Sequence, residues 1–259
     1  MLFLSVNEIL HSLNQNALDV DTPEPSMRIL KTRRSLCIMI ILERYMKTQI
    51  ISCKTIKLEV EKAMHETGCK FPASWIESGL HNFPDKLRRN LQETLDGINA
   101  ERVLLVMGYC CNSLVGLKTR DFELIFPRAD DCITLLLGSL DTRKMHERTY
   151  FLTKGWLDGE RNVYEEYKYT IKKYGLEQGK EIMKMMLEHY EYLGIMNTGV
   201  CDFDELCEKT KKIAFELGLS LKTIEATDLL LKNLLTGPWA NSEFHIIPCN
   251  TVIEISHLS

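Results

Sequence analysis

The sequence is poor in the features that announce common chemistries. No apolar stretch approaches the ~18–20 residues of a membrane-spanning helix; the longest, Leu36 to Leu42, is closely bounded by Arg34 and Glu43. There is no G-x-G-x-x-G turn and no phosphate-loop lysine, which weakens a nucleotide reading. No G-x-S-x-G elbow occurs, which argues against a serine hydrolase, and no C-x-x-C pair, which removes the zinc-finger signal. Basic charge is not in excess: 32 Lys and Arg against 36 Asp and Glu leave a net charge of -4. That balance argues against a general nucleic-acid binder. Met1 to Val20 contains Asn7, Glu8, His11, Asn14 and Gln15 and so lacks the apolar core of a secretory leader. The expected location is the cytoplasm, with no transmembrane segment.

Sulfur is what the chain has in plenty, with nine Cys and eleven Met in 259 residues. An odd number of cysteines without a leader reads as reduced thiols, and clustered thiols there point to metal binding or catalysis rather than disulfides. The hydrophobic share of 45% and charged share of 26% are those of an ordinary globular protein. The length suffices for one large domain or two small ones.

Residues 1–47 read as an N-terminal, partly helical extension. Leu2, Leu4, Val6, Ile9, Leu10 and Leu13 make a crude helical stripe, Asp19 to Pro25 breaks it, and Lys31, Arg33 and Arg34 form a small basic cluster. A packed extension, a docking arm and a membrane-surface helix all fit that pattern. Residues 48–259 read as an α/β domain, divisible into two intertwined halves at 48–155 and 156–259. Strands are expected at 49–53, 103–107, 122–126, 149–153, 192–196 and 244–247. Helices are expected at 55–67, after Asn82 as N-cap, from 133, at 161–174, 176–190, 204–217 and 224–235. Such alternation predicts Rossmann-like parallel sheets with helices on both faces.

Ligands of open α/β sheets sit beyond the carboxyl ends of the strands. Cys53 ends the first predicted strand, Cys110 follows the strand at 103–107, and Asp130, Asp131 and Cys132 follow the one at 122–126. His81 precedes a helix N-terminus, which faces the same edge. A helix dipole there is expected to lower a thiol pKa and favour metal binding. Three thiolates and an imidazole suit tetrahedral zinc, ferrous iron or an iron–sulfur cluster with one His ligand. Placement alone leaves a second reading open, since Cys is often a small buried hydrophobe. Cys37, Cys69, Cys201, Cys207 and Cys249 fit that second reading. Arg128 lies at a strand end, where it can grip a phosphate or carboxylate or pair with a neighbouring acid. Trp156 and Trp239 fit core or pocket-rim packing.

Several segments resemble one family. They are Gly79-Leu80-His81-Asn82, Gly108-Tyr109-Cys110 with Asn112 to Leu117, Pro127 to Cys132, Leu137-Gly138-Ser139 and Thr149 to Thr153. The family is the domain of unknown function 1638 family, and the resemblance spans about residues 48 to 250. It implies Cys53, His81, Cys110 and Cys132 as the ligand set of a metal site. It also implies a setting in anaerobic one-carbon or corrinoid metabolism. Two positions depart from the family pattern: Cys111 stands where Gly is usual, and Asp130 where His is usual.

The leading expectation is a cytoplasmic soft-metal enzyme. Cys53, His81, Cys110 and Cys132 hold zinc or iron, Asp130 or Asp131 serves as base or supporting ligand, and Arg128 orients a small anionic substrate. The alternatives are a non-enzymatic metal or corrinoid accessory protein that docks a methyltransferase or corrinoid protein, and a purely structural metal site.

Overall fold

The computed structural model describes residues 47–110, 112–159 and 162–258. The expectations for residues 1–46, and the departure at Cys111, lie outside the described residues. Lys47–Ser259 forms one compact unit.

Two sheets organise it. The first contains β1 (Thr48–Cys53), β2 (Ala73–Ile76), β3 (Arg102–Val106), β4 (Glu123–Pro127) and β8 (Phe244–Ile247), in the order β2-β1-β3-β4-β8. The second contains β5 (Thr149–Leu152), β6 (Tyr192–Asn197) and β7 (Ser220–Glu225), in that order. All pairings are parallel except β4 with β8. The fold is thus the expected mixed α/β arrangement of mostly parallel sheets flanked by helices. Every residue of β3 is buried, as befits a central parallel strand covered on both faces.

The helices follow their sequence signals. Helix α1 (Lys57–Thr67) buries Glu59, Val60 and Ala63 and ends on Gly68 in the left-handed region, φ 69°, where glycine carries no Cβ penalty. Helix α2 (Pro84–Asp96) starts with Pro in its first turn and buries Leu87, Leu91 and Leu95, one residue per turn. The short helices α3 (Cys132–Leu137), α4 (Leu140–Lys144) and α5 (Lys154–Leu157) follow, capped by the side chains of Asp131, Ser139 and Thr153. Helices α6 (Val163–Tyr174), α7 (Leu176–Met186) and α8 (Phe203–Leu217) cover the second sheet, and α9 (Leu229–Thr236) returns to the first, packing on α1. Among the described residues, no helix is long and apolar enough to cross a membrane.

Three expectations are corrected. The helix expected over 224–235 begins only at Leu229, because Ser220–Glu225 is a strand paired in register with β6. Its Thr223 and Ile224 are β-branched and suit a pleated surface more than a helix. The helix expected over 176–190 stops at Met186. Asn82 does not cap α2: it closes a 3₁₀ turn, Leu80–Asn82, and the helix follows Phe83 without a side-chain cap.

One glycine brings the carboxyl edges of the two sheets together, and another joins two turns of the first sheet. A Cβ at Gly155 would lie 2.4 Å from the Thr55 carbonyl oxygen, and one at Gly108 would lie 2.4 Å from the Asp131 backbone nitrogen and Cα. Only a residue without a side chain permits either approach.

Candidate functional site

The carboxyl ends of β1, β3 and β4 open onto a pocket of about 440 Å³. Cys53, His81, Cys110 and Cys132 all line it, together with Asp130, Asp131, Glu77, Arg143 and Trp156. The three thiols are at most 9% exposed.

Each thiol reaches the pocket by a different local device. Cys53 is the last residue of β1, and its thiol donates to Thr55 Oγ1 at 3.1 Å. Cys110 sits in the turn after β3 with φ 43°, a left-handed conformation that a non-glycine residue adopts only under surrounding constraint. The constraint is a backbone clamp between the turns after β3 and β4. Tyr109 N–H donates to Ala129 O and Cys110 N–H to Asp130 O, both at 3.0 Å. Gly108 lies directly on Asp131, the residue before Cys132. Cys132 opens α3 and is buried with Cys110 in the same pocket, where the neighbouring thiol raises its pKa. His81 lies in the 3₁₀ turn with its ring edge-on to Trp156, centroids 5.4 Å apart.

Strand β8 holds the clamp from behind. The Tyr109 hydroxyl and His245 Nε2 share a hydrogen bond of 2.7 Å, and the His245 ring leans on Phe126. His245 is 4% exposed. Burial, with the Arg128 charge nearby, pulls its pKa down to about 4. The ring that meets the phenol is therefore neutral at ordinary pH.

The electrostatics differ from the sequence expectation. Helix dipoles were expected to lower the thiol pKa values, yet Cys53 is pushed up to about 11 by burial and the neighbouring Cys132. Cys132 is raised well above its ordinary value by the Cys110 thiol and by burial. One 3₁₀ turn and one short helix do not offset the cost of a thiolate in an apolar pocket beside other thiols. Burial also lowers the pKa of His81, which favours the neutral imidazole that binds metals.

The remaining expected residues separate. Asp131 accepts from Thr134 N–H at 2.8 Å and pairs with Arg143, so it is engaged as a helix cap. Asp130 is exposed and lines the pocket, whereas Arg128 does not line it and acts on Tyr109 and His245 instead. Arg143 and Glu77 are pocket residues that sequence reasoning did not place there, and Trp156 lies on the pocket, one of the two readings its position allowed. Cys69, Cys201 and Cys207 are half-buried and Cys249 is exposed, all outside this pocket. Asp131→Ala is expected to lower stability by about 1–2 kcal/mol through loss of the cap, read by urea unfolding. Asp131→Asn, still a capping residue, should recover most of it; an unchanged midpoint in the alanine variant would show the cap to be idle.

Among the described residues, no three His, Cys, Asp or Glu side chains already surround one point as a metal shell. Cys53 is turned to Thr55 and His81 to Trp156. The chemistry of the set still fits a thiophilic ion: three thiols, two of them with raised pKa values, and a neutral imidazole share one pocket. No curated protein and no solved structure matches the chain. The family described as protein of unknown function (DUF1638) matches residues 75–235, which include His81, Cys110 and Cys132 and more than half of the sequence, and the chain belongs to that family.

Proposed function

We propose that this protein binds a soft metal ion, zinc or iron, in the thiol pocket and uses it on a small molecule. The observation that carries the reading is the clamp of Gly108 on Asp131, which seats Cys110 against Cys132 beside Cys53 in one buried pocket. Cys53, Cys110 and Cys132 would hold the ion as thiolates, with His81 as the nitrogen ligand. The chemistry a bound zinc or ferrous ion supplies is Lewis-acid activation of a thiol or a water. Arg143, held by Asp131, presents a guanidinium edge to the pocket, and Trp156 shields it from water. The pocket volume of about 440 Å³ favours a chemical role over a closed structural site.

A second reading is an accessory protein that presents the metal to a corrinoid or methyltransferase partner. It draws support from a groove of about 890 Å³ that shares His81 and Trp156 with the thiol pocket and includes the exposed Phe83 and Tyr169.

Metal analysis of anaerobically purified protein tests the proposal. About one ion per chain is expected, lost in Cys110→Ala and in Cys132→Ala while both variants stay folded. A folded wild-type chain that stays metal-free after incubation with zinc or ferrous ion overturns it. Turnover without a stable partner separates the first reading from the second.

A further inference from the structure

A second pocket, of about 330 Å³, opens at the carboxyl ends of β6 and β7, where Asn197 and Glu225 are the last strand residues. This is where parallel sheets place ligands, and the thiol site makes no use of it. Its lining is polar except for Leu136 and Ala226, and its charges do not balance. Lys62 is the sole cation of the lining, and it is spent: its Nζ lies 2.6 Å from Asp228 and 3.5 Å from Glu66. Lys232 closes that network, 2.7 Å from Glu66 and 2.9 Å from Asp228.

Two carboxyl groups are left over. Glu225 is exposed and accepts only from the Asn197 amide, at 3.2 and 3.4 Å, with no ion pair among the described residues. Glu59 reaches the pocket from the first turn of α1 and is 2% exposed. Its Oε1 accepts from the Thr198 hydroxyl at 2.9 Å, while its Oε2 has no partner among the described residues. A buried carboxyl oxygen without a partner is costly, so a binding site repays it more readily than a structural role does. Burial pushes the Glu59 pKa up, against the lowering pull of Thr198 and the Lys62 charge.

We propose that this pocket binds a small molecule bearing a primary ammonium group, received between Glu59 and Glu225. An anion is disfavoured, because the two surplus carboxylates repel it and Lys62 is already paired. A neutral polyol satisfies hydrogen bonds but leaves the surplus charge unanswered. An ammonium supplies three donors and the missing positive charge. Thr198 and Thr227, also in the lining, offer hydroxyls to the remainder of such a ligand.

The proposal stands independently of the metal reading, and its test uses the full-length protein with and without added zinc. Isothermal titration with 1,4-diaminobutane is expected to show binding that falls at least tenfold in Glu225→Gln and in Glu59→Gln, each a near-isosteric change. Equal affinity for glycerol or another neutral polyol overturns the charge assignment. Undetectable diamine binding, or binding indifferent to both substitutions, overturns the site. Glu225 is exposed, so its variant tests the pocket even if Glu59→Gln disturbs folding. Loss of metal binding with diamine binding intact would sink the thiol-site reading alone.

Discussion

Gly108→Ala is expected to abolish tight metal binding and to lower the melting temperature, although it adds a single methyl group at a position that bears no ligand. The added Cβ would sit 2.4 Å from the Asp131 nitrogen and Cα and 2.6 Å from its carbonyl carbon. Those are backbone atoms, so no side-chain rotation relieves the clash. The turns after β3 and β4 must separate, and with them go the Tyr109–Ala129 and Cys110–Asp130 hydrogen bonds. A steric insult of this kind costs about 1–3 kcal/mol in stability. A similar loss at the metal corresponds to roughly 10- to 100-fold in affinity. Gly97→Ala is the control, since its Cβ would meet only helix carbonyl oxygens at 3.7 Å. Unfolding midpoints test the clamp and metal titration tests the site. If Gly108→Ala matches the control in both, the clamp has been misread.

Acid is expected to destabilise the protein through His245, well away from any carboxylate of the pocket. In the fold the imidazole stays neutral down to about pH 4. In the unfolded chain it takes up a proton near its ordinary value of 6.5. The unfolded state thus binds more protons as the pH falls. The contribution is complete above pH 6.5 and is lost between 6.5 and about 4, amounting to about 3 kcal/mol. Unfolding free energies across that window should fall more steeply for wild type than for His245→Gln, which keeps a hydrogen-bonding side chain but does not titrate. Parallel slopes would show that the ring is not held neutral. Protonation also places a charged ring against the Tyr109 hydroxyl and Phe126, behind the turn that carries Cys110.

The thiol edge was legible because buried parallel strands advertise themselves. Val103 to Val106 is an unbroken apolar run, and the cysteines follow such runs by a residue or a few. Leu87, Leu91 and Leu95 likewise mark the buried face of α2 through helical spacing. The edge strands were not legible. Ala73–Ile76 is short and follows Pro72, and Ser220–Glu225 carries few apolar residues because little of it is buried. The antiparallel β8 reads like any other short apolar strand, since direction leaves no trace in periodicity. Asp131 carried a readable signal, an N-cap residue directly before an apolar helix, and chemistry was assigned to it instead. Arg143 and Trp156 join the pocket through tertiary contacts across many residues, which local pattern does not encode.

The return of the chain from the second sheet to the first has a consequence for the order of assembly. β5, β6 and β7 are consecutive between residues 149 and 225 and need nothing from the end of the chain to pair. The first sheet is complete only when Ile247 reaches Leu124, a closure over a far longer loop and hence a later event. The second sheet can therefore pair while β4 still lacks its outer neighbour. Tyr109 can meet His245 only once β8 lies against β4, so the turn that carries Cys110 gains this support after the second sheet is already able to pair.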